Sequence, residues 1–507
     1  MGKTAVLLMI LAIISKIVGF VRELILSYFY GASNISDAYL ISLTIPNVIF
    51  SLVGTSLYTG YVPIYSQIKQ DHGKKKADRF TNNLTNAVLI ICTIIAIFGF
   101  TFTELLVKLF ASGFTGDTLE LAVRFTKFTI WGIYFTALVY IYGGFIRLQG
   151  NYVVPELPVF FHNAIIISSI LLSVQLGMIT LPIGALIALT SQFIVLYPSA
   201  RKNGLRYRPM LDIRDENIKK MMIMALPVIV GGSVDQINVL IDRTLASNIA
   251  VGGISALNYA SRLNGSIFAI FVNSISTVIY PIISKRAAEN DIDGLKDSVR
   301  ESINMLSLLL IPASLGTALY AKPIVIMLFG RGAFDSQAIE MTSAAFLCYS
   351  FGTYAFGLRN ILSKAFYSIK DTRTPMINAT ISVLLNIVLN IVLSRYIGIG
   401  GLALGTSISA IICVILLIFS LRKKIGALGL RKMLRSLIKI IFAAAVMGII
   451  TMITFNQLQE YLSMNISLVC SIGLGVLVYF VLVFIMKIDE VKTIINLVKS
   501  MKNTDEQ

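Results

Sequence analysis

The chain has 507 residues, 56% of them hydrophobic and 14% charged, with a mean hydropathy of +0.81. That balance excludes a water-soluble globular fold, which could not cover so much apolar surface. The net charge of +17 collects in the stretches 69–79, 201–220, 285–300 and 422–435, while connections such as 31–34, 113–118 and 177–180 carry few charges or none, the pattern of cytoplasmic loops rather than of a nucleic-acid-binding surface.

In chain order, apolar runs predict helices near 4–30, 36–68, 82–110, 118–149, 153–176 and 179–201, then 217–250, 253–285, 298–329, 336–369, 374–395 and 399–422, and finally 433–457 and 463–487. The first run carries Lys16, Arg22 and Glu23 and has no small-residue cleavage site behind it, so it reads as a retained helix rather than a secretory signal. Alternation of basic and neutral loops puts both termini in the cytoplasm and requires an even number of crossings. The expected fold is therefore an all-α polytopic membrane protein of about fourteen transmembrane helices. Several predicted helices exceed one bilayer span and should tilt or project into the cytoplasm. Cys92, Cys348, Cys413 and Cys470 stand alone, without metal-ligand spacing, and predict packing roles.

The sequence repeats at an offset of about 219 residues. Leu109-Phe110-Ala111-Ser112-Gly113 answers to Leu328-Phe329-Gly330-Arg331-Gly332, Tyr61-Val62-Pro63-Ile64 to Ile279-Tyr280-Pro281-Ile282, Glu23 to Asp242, and Thr190-Ser191 to Thr406-Ser407. Two pseudo-symmetric six-helix lobes follow, 1–205 and 206–424, with two C-terminal helices in 425–490 and a cytoplasmic tail in 491–507. Parallel repeats of this kind favour transport by alternating access.

Ionisable groups in the apolar core cost roughly 2.5–3.5 kcal/mol each and should face a wet cavity or one another. The first two helices of each half hold a dense set: Lys16, Arg22 and Glu23; Asp37 and Asn47; Asp235, Asp242 and Arg243; and Arg262. Gly19, Pro46 and Pro227 lie among them, so the charged helices are also those able to bend. Four cations, Lys16, Arg22, Arg243 and Arg262, lie in this set beside four acids, and arginine forks suit phosphate; the alternative for any single residue is an internal ion pair fastening helices. His162 serves equally as an interior polar residue or a ligand contact. Asn386 and Asn390, four residues apart on one face, and Thr406, one turn beyond Leu402, offer with Asp235 oxygen ligands suited to a hard cation such as sodium, against the alternative of interhelical hydrogen bonds. The sequence contains no Walker A, HExxH, GxSxG or CxxC pattern, so neither nucleotide hydrolysis nor a nucleophilic or metal-dependent enzyme activity is expected. Ion gradients or membrane potential, about 2.3 kcal/mol per charge per 100 mV, are the expected drive.

Ser15-Lys16-Ile17-Val18-Gly19-Phe20-Val21-Arg22-Glu23, then Ser36-Asp37-Ala38-Tyr39 and Ile45-Pro46-Asn47, resemble the opening helices of the MurJ (MviN) lipid II flippases. Phe329-Gly330-Arg331-Gly332-Ala333-Phe334-Asp335, Ala365-Phe366-Tyr367 with Asp371-Thr372-Arg373-Thr374-Pro375, and Gly401-Leu402-Ala403-Leu404 resemble that family's second half. The resemblance covers essentially the whole chain, and its superfamily has two six-helix lobes, here joined by two added helices. It implies movement of an undecaprenyl-pyrophosphate-linked peptidoglycan precursor across the bacterial cytoplasmic membrane, the lipid tail lying along a groove by the last two helices. Membrane lipids and peptidoglycan-synthesis proteins are the other partners it suggests.

By the same resemblance Arg22 and Arg262 match cavity arginines, Glu23 an adjacent acid, and Asp37 and Asn47 motif positions of the second helix. A sodium site in some members matches Asp235, Asn386, Asn390, Leu402 and Thr406. This chain departs from the pattern in having Lys16 for an arginine, Asn390 for an acid, and Val48, Ile49, Phe50 and Ser51 where a further cavity arginine is common. The competing readings are a flippase for another polyprenyl-linked saccharide, a cation-coupled drug exporter, and a non-transporting scaffold for wall synthesis.

Overall fold

The computed structural model describes residues 2–212 and 214–486; the expected tail, 491–507, and the end of the 425–490 segment lie outside them. The first helices are α1 (Gly2–Tyr30), α2 (Asn34–His72), α3 (Lys74–Thr101), α4 (Thr103–Phe110), α5 (Gly116–Thr129), α6 (Gly132–Leu148), α7 (Pro158–Leu176) and α8 (Thr180–Lys202). They are followed by α9 (Glu216–Ile249), α10 (Gly253–Ala288), α11 (Ile292–Phe329), α12 (Ser336–Ser368), α13 (Arg373–Ile397), α14 (Ile399–Ile425), α15 (Leu430–Gln459) and α16 (Met464–Ile485). Among the described residues there is no strand.

The predicted helix 82–110 is divided at Phe102 into α3 and α4, and the predicted 118–149 is divided into α5 and α6, bent by 41°. The basic stretch 69–79, expected as a loop, is mostly helical: α2 and α3 extend into it and meet at Gly73. Nine described helices are long and apolar enough to cross a membrane, ten with the bent pair counted as one span. The long helices α1, α2, α9 and α12 stand outside that set, and they carry ionisable residues in their length. Side chains such as Ile13, Ile94, Leu384, Ile449 and Phe484 are exposed, an apolar exterior that only a lipid environment solvates without penalty.

The chain forms two compact units, 1–255 with 332–335, and 256–331 with 336–507. The first unit therefore includes α9, which packs against α2, although the sequence repeat begins its second half there. Its core joins α2, α3 and α6 through Tyr61, Tyr65, Phe80 and Phe145. In the second unit one core joins α10, α11, α12 and α14, and α15 and α16 pack onto α11 around Leu308, Met447 and Tyr479.

Within the first unit the repeat becomes geometry. A Cβ on Gly113 would lie 2.2 Å from the Ser247 carbonyl oxygen, and one on Gly332 would lie 2.2 Å from the Tyr28 carbonyl oxygen. Both glycines and both carbonyls are related by the repeat offset, so each half's glycine loop docks on the end of the other half's first helix. No side chain fits at either place. Close by, the Ser36 and Ser255 hydroxyls, 219 residues apart, hydrogen-bond to each other at 2.8 Å.

Two proline-containing helices share a further device. Proline lacks the N–H that would bond the carbonyl four residues earlier, and in an apolar setting that carbonyl needs another donor. In α2, Pro46 leaves the Ser42 carbonyl without its helical partner, and the Thr129 hydroxyl donates to it at 2.6 Å. In α11, Pro312 does the same to Leu308, whose carbonyl accepts from the Tyr479 hydroxyl at 2.7 Å. The second bond also ties α16 to α11.

Candidate functional site

The charged residues of α1 form a fork. Arg22 donates through Nη2 to Glu23 Oε1 at 2.7 Å and through Nη1 to Asn163 Oδ1 at 3.1 Å on α7. Asn163 is fixed in turn by donating to the Val159 carbonyl. The Glu23 side chain is 4% exposed and that of Arg22 is 21% exposed, so the carboxylate is held inside while the guanidinium keeps an accessible edge. Two of its N–H groups hold it in place, and a guanidinium has five. Asn163, adjacent to the predicted His162, is the partner that sequence reasoning passed over. His162 instead pairs through Nδ1 with Gln192 on α8 at 2.8 Å, which makes it part of the α7–α8 packing.

Asp37 has a different environment. Its carboxylate accepts from the Gly252 N–H at 2.9 Å, the Ser255 N–H at 2.7 Å and the Ser255 hydroxyl at 2.5 Å, and the residue is 1% exposed. It thus caps the N-terminus of α10, where unpaired N–H groups and the helix dipole favour an anion. Arg243 donates to the Ile254 carbonyl at 3.0 Å and adds its charge to the same corner. Asp37 and Arg243 therefore fasten the α9–α10 turn to the start of α2 rather than presenting free ligand groups. Asn47 is exposed and donates to the Leu43 carbonyl one turn back. Lys16 and Asp235 are exposed and Asp242 is half-buried. In the second unit, Arg262 is exposed on α10.

Four of the five cation candidates converge on α13 and α14. Asn386 and Asn390 exchange amide hydrogen bonds at 3.4 and 3.1 Å, Asn386 also donates to the Thr406 hydroxyl, and that hydroxyl donates to the Leu402 carbonyl. The cluster is neutral, its two asparagines are buried and its groups hydrogen-bond one another, which suits an interhelical fastener better than a cation cage. Asp235, the one carboxylate of the set, belongs to α9 in the other unit. Among the described residues no group of three or more His, Cys, Asp or Glu side chains is arranged to hold a metal.

The sequence reading also missed Arg359 and Lys364, both half-buried on α12. The criterion that found Arg262, a cation inside a predicted apolar helix, applies equally to them.

A multi-span helical fold with internal repeats and arginines inside it defines a membrane transporter rather than an enzyme, and known proteins narrow that class. The family model described as "Lipid II flippase MurJ" matches residues 26–473. A probable lipid II flippase MurJ of Vibrio cholerae is 29% identical over 503 residues, covering 96% of each chain, and one of Thermotoga maritima is 26% identical over 490 residues, covering 95% of this chain and 96% of its own. A solved lipid II flippase MurJ in an inward closed conformation superposes with a TM-score of 0.84 at 27% identity, over 96% of this chain and 100% of that one. An inward-facing MATE family multidrug resistance transporter shares the fold, with a TM-score of 0.70 at 14% identity, over 82% of this chain and 95% of its own. This chain belongs to the MurJ lipid II flippase family.

Proposed function

We infer that this protein moves lipid II, the undecaprenyl-pyrophosphate-linked peptidoglycan precursor, from the inner to the outer leaflet of the bacterial cytoplasmic membrane by alternating access. The family match over nearly the whole chain supports the substrate, and the observation that carries the chemistry is the Arg22 fork. A guanidinium held by Glu23 and Asn163 yet open on one edge is preorganised to take a phosphate oxygen without first breaking its own supports. Arg262, exposed on α10, is the second proposed phosphate ligand. Both termini are assigned to the cytoplasm by the basic loops, and wall-synthesis enzymes that make and consume lipid II are the proposed protein partners.

Membrane potential is the proposed drive. The Asn386–Asn390–Thr406 cluster does not by itself fit sodium, since its amides already hydrogen-bond one another and it lacks a carboxylate.

The test is reconstitution of the full-length protein in liposomes carrying lipid II in one leaflet. Wild type is expected to carry lipid II across, with Arg22→Glu and Arg262→Glu each slowing it about a hundredfold or more. Preferential movement of a different undecaprenyl-pyrophosphate oligosaccharide would change the substrate, and full transport by both charge-reversed variants would refute the phosphate site.

A further inference from the structure

Helix α10 carries a polar stripe along most of its length. Arg262, Ser266, Asn273, Thr277, Tyr280 and Ser284 fall on one helical face by their spacing, and all are exposed or half-buried. From Arg262 to Tyr280 the stripe climbs about 27 Å at 1.5 Å per residue, most of a hydrocarbon core. A membrane helix does not turn such a face to acyl chains, so this one borders water. It runs toward Lys285 and Arg286, the end that the charge rule assigns to the cytoplasm.

A second cation waits at that end. The Lys364 ammonium on α12 lies 5.6 Å from the centroid of the Tyr280 ring, in cation–π range. Its position is set by the helix pairing: the Thr353 hydroxyl donates to Asn264 Oδ1 at 2.6 Å, and the Ser276 hydroxyl bonds Asn360 Oδ1 at 2.9 Å. One helical turn beyond Ser276 is Tyr280, and one turn beyond Asn360 is Lys364. Among the described residues no carboxylate forms an ion pair with Lys364. A ring face holds an ammonium without neutralising it, which leaves the charge available to an incoming anion.

We propose that Lys364, held over Tyr280, is an entry station that captures the pyrophosphate of the substrate at the cytoplasmic end of α10, and that the polar stripe then guides the headgroup toward Arg262. This assignment rests on the flippase reading. Lys364 acts in capture, so its loss weakens loading more than it slows the crossing itself.

The experiment measures binding and transport of lipid II by purified full-length protein in proteoliposomes, comparing wild type with Lys364→Met, which keeps the aliphatic stem over the ring, and Lys364→Arg. Lys364→Met is expected to raise the half-saturating lipid II concentration about tenfold while the saturated rate falls less than about threefold, and Lys364→Arg to stay within about threefold of wild type. Inorganic pyrophosphate is expected to compete with lipid II in wild type and about tenfold less well in Lys364→Met. The proposal is overturned if Lys364→Met loads lipid II as wild type does, if Lys364→Arg is as impaired as Lys364→Met, or if pyrophosphate fails to compete. In each of those cases lipid II transport by wild type persists, whereas a wild type that carries no lipid II removes the flippase reading and this station with it.

Discussion

Asp37 and Arg22 meet one sequence criterion, an ionisable side chain in one of the first two apolar helices, and the fold uses them in opposite ways. Asp37 is buried with its carboxylate oxygens occupied by the Gly252 and Ser255 backbone and the Ser255 hydroxyl. Arg22 is supported by two acceptors and keeps an exposed edge. The comparison teaches that charge inside a membrane helix marks importance, while saturation of its hydrogen-bonding capacity separates a fastener from a ligand.

The largest effect that would sharpen this contrast is on stability at Asp37. Asp37→Ala strands buried N–H donors at the start of α10 and should cost about 3–5 kcal/mol, read as a lowered unfolding temperature and yield of the detergent-solubilised protein. Unchanged stability would break the comparison, because Asp37 would then be as available as Arg22. Next comes Arg22→Ala, expected to lose about 2 kcal/mol by leaving the Glu23 carboxylate buried without its guanidinium, together with transport. In the double variant Arg22→Ala/Glu23→Gln stability should return and transport should not; recovery of both would make Arg22 a fastener too. The smallest effect is expected where a hydroxyl serves a proline-freed carbonyl: Tyr479→Phe and Thr129→Val should each cost about 1–2 kcal/mol, with lipid II movement by the surviving folded fraction little altered.

Much of the fold was legible in the sequence because a membrane helix announces itself by a long apolar run, and because duplicated halves retain matching motifs. The glycines of Leu109-Phe110-Ala111-Ser112-Gly113 and Leu328-Phe329-Gly330-Arg331-Gly332 were visible as a repeat, yet their function as close-approach points on Ser247 and Tyr28 was not, since periodicity carries no information on which distant carbonyl a loop meets. The charged residues could be counted along the chain. Their partners could not: Asn163 lies 141 residues from Arg22 and Ser255 lies 218 from Asp37.

The sequence by itself determined an all-helical membrane protein, its internal duplication, its family and the short roster of charges a transporter needs, because burial in lipid restricts both composition and backbone so severely. Tertiary structure decided which of the charged and polar side chains are spent. Asp37 is consumed by a helix N-terminus, Asn386 and Asn390 by each other, and His162 by Gln192, while Arg22 keeps an open edge and Lys364 rests on a ring. The reason is physical: a polar group in a low-dielectric interior takes the strongest partner that packing brings within reach, and only folding decides which partner that is.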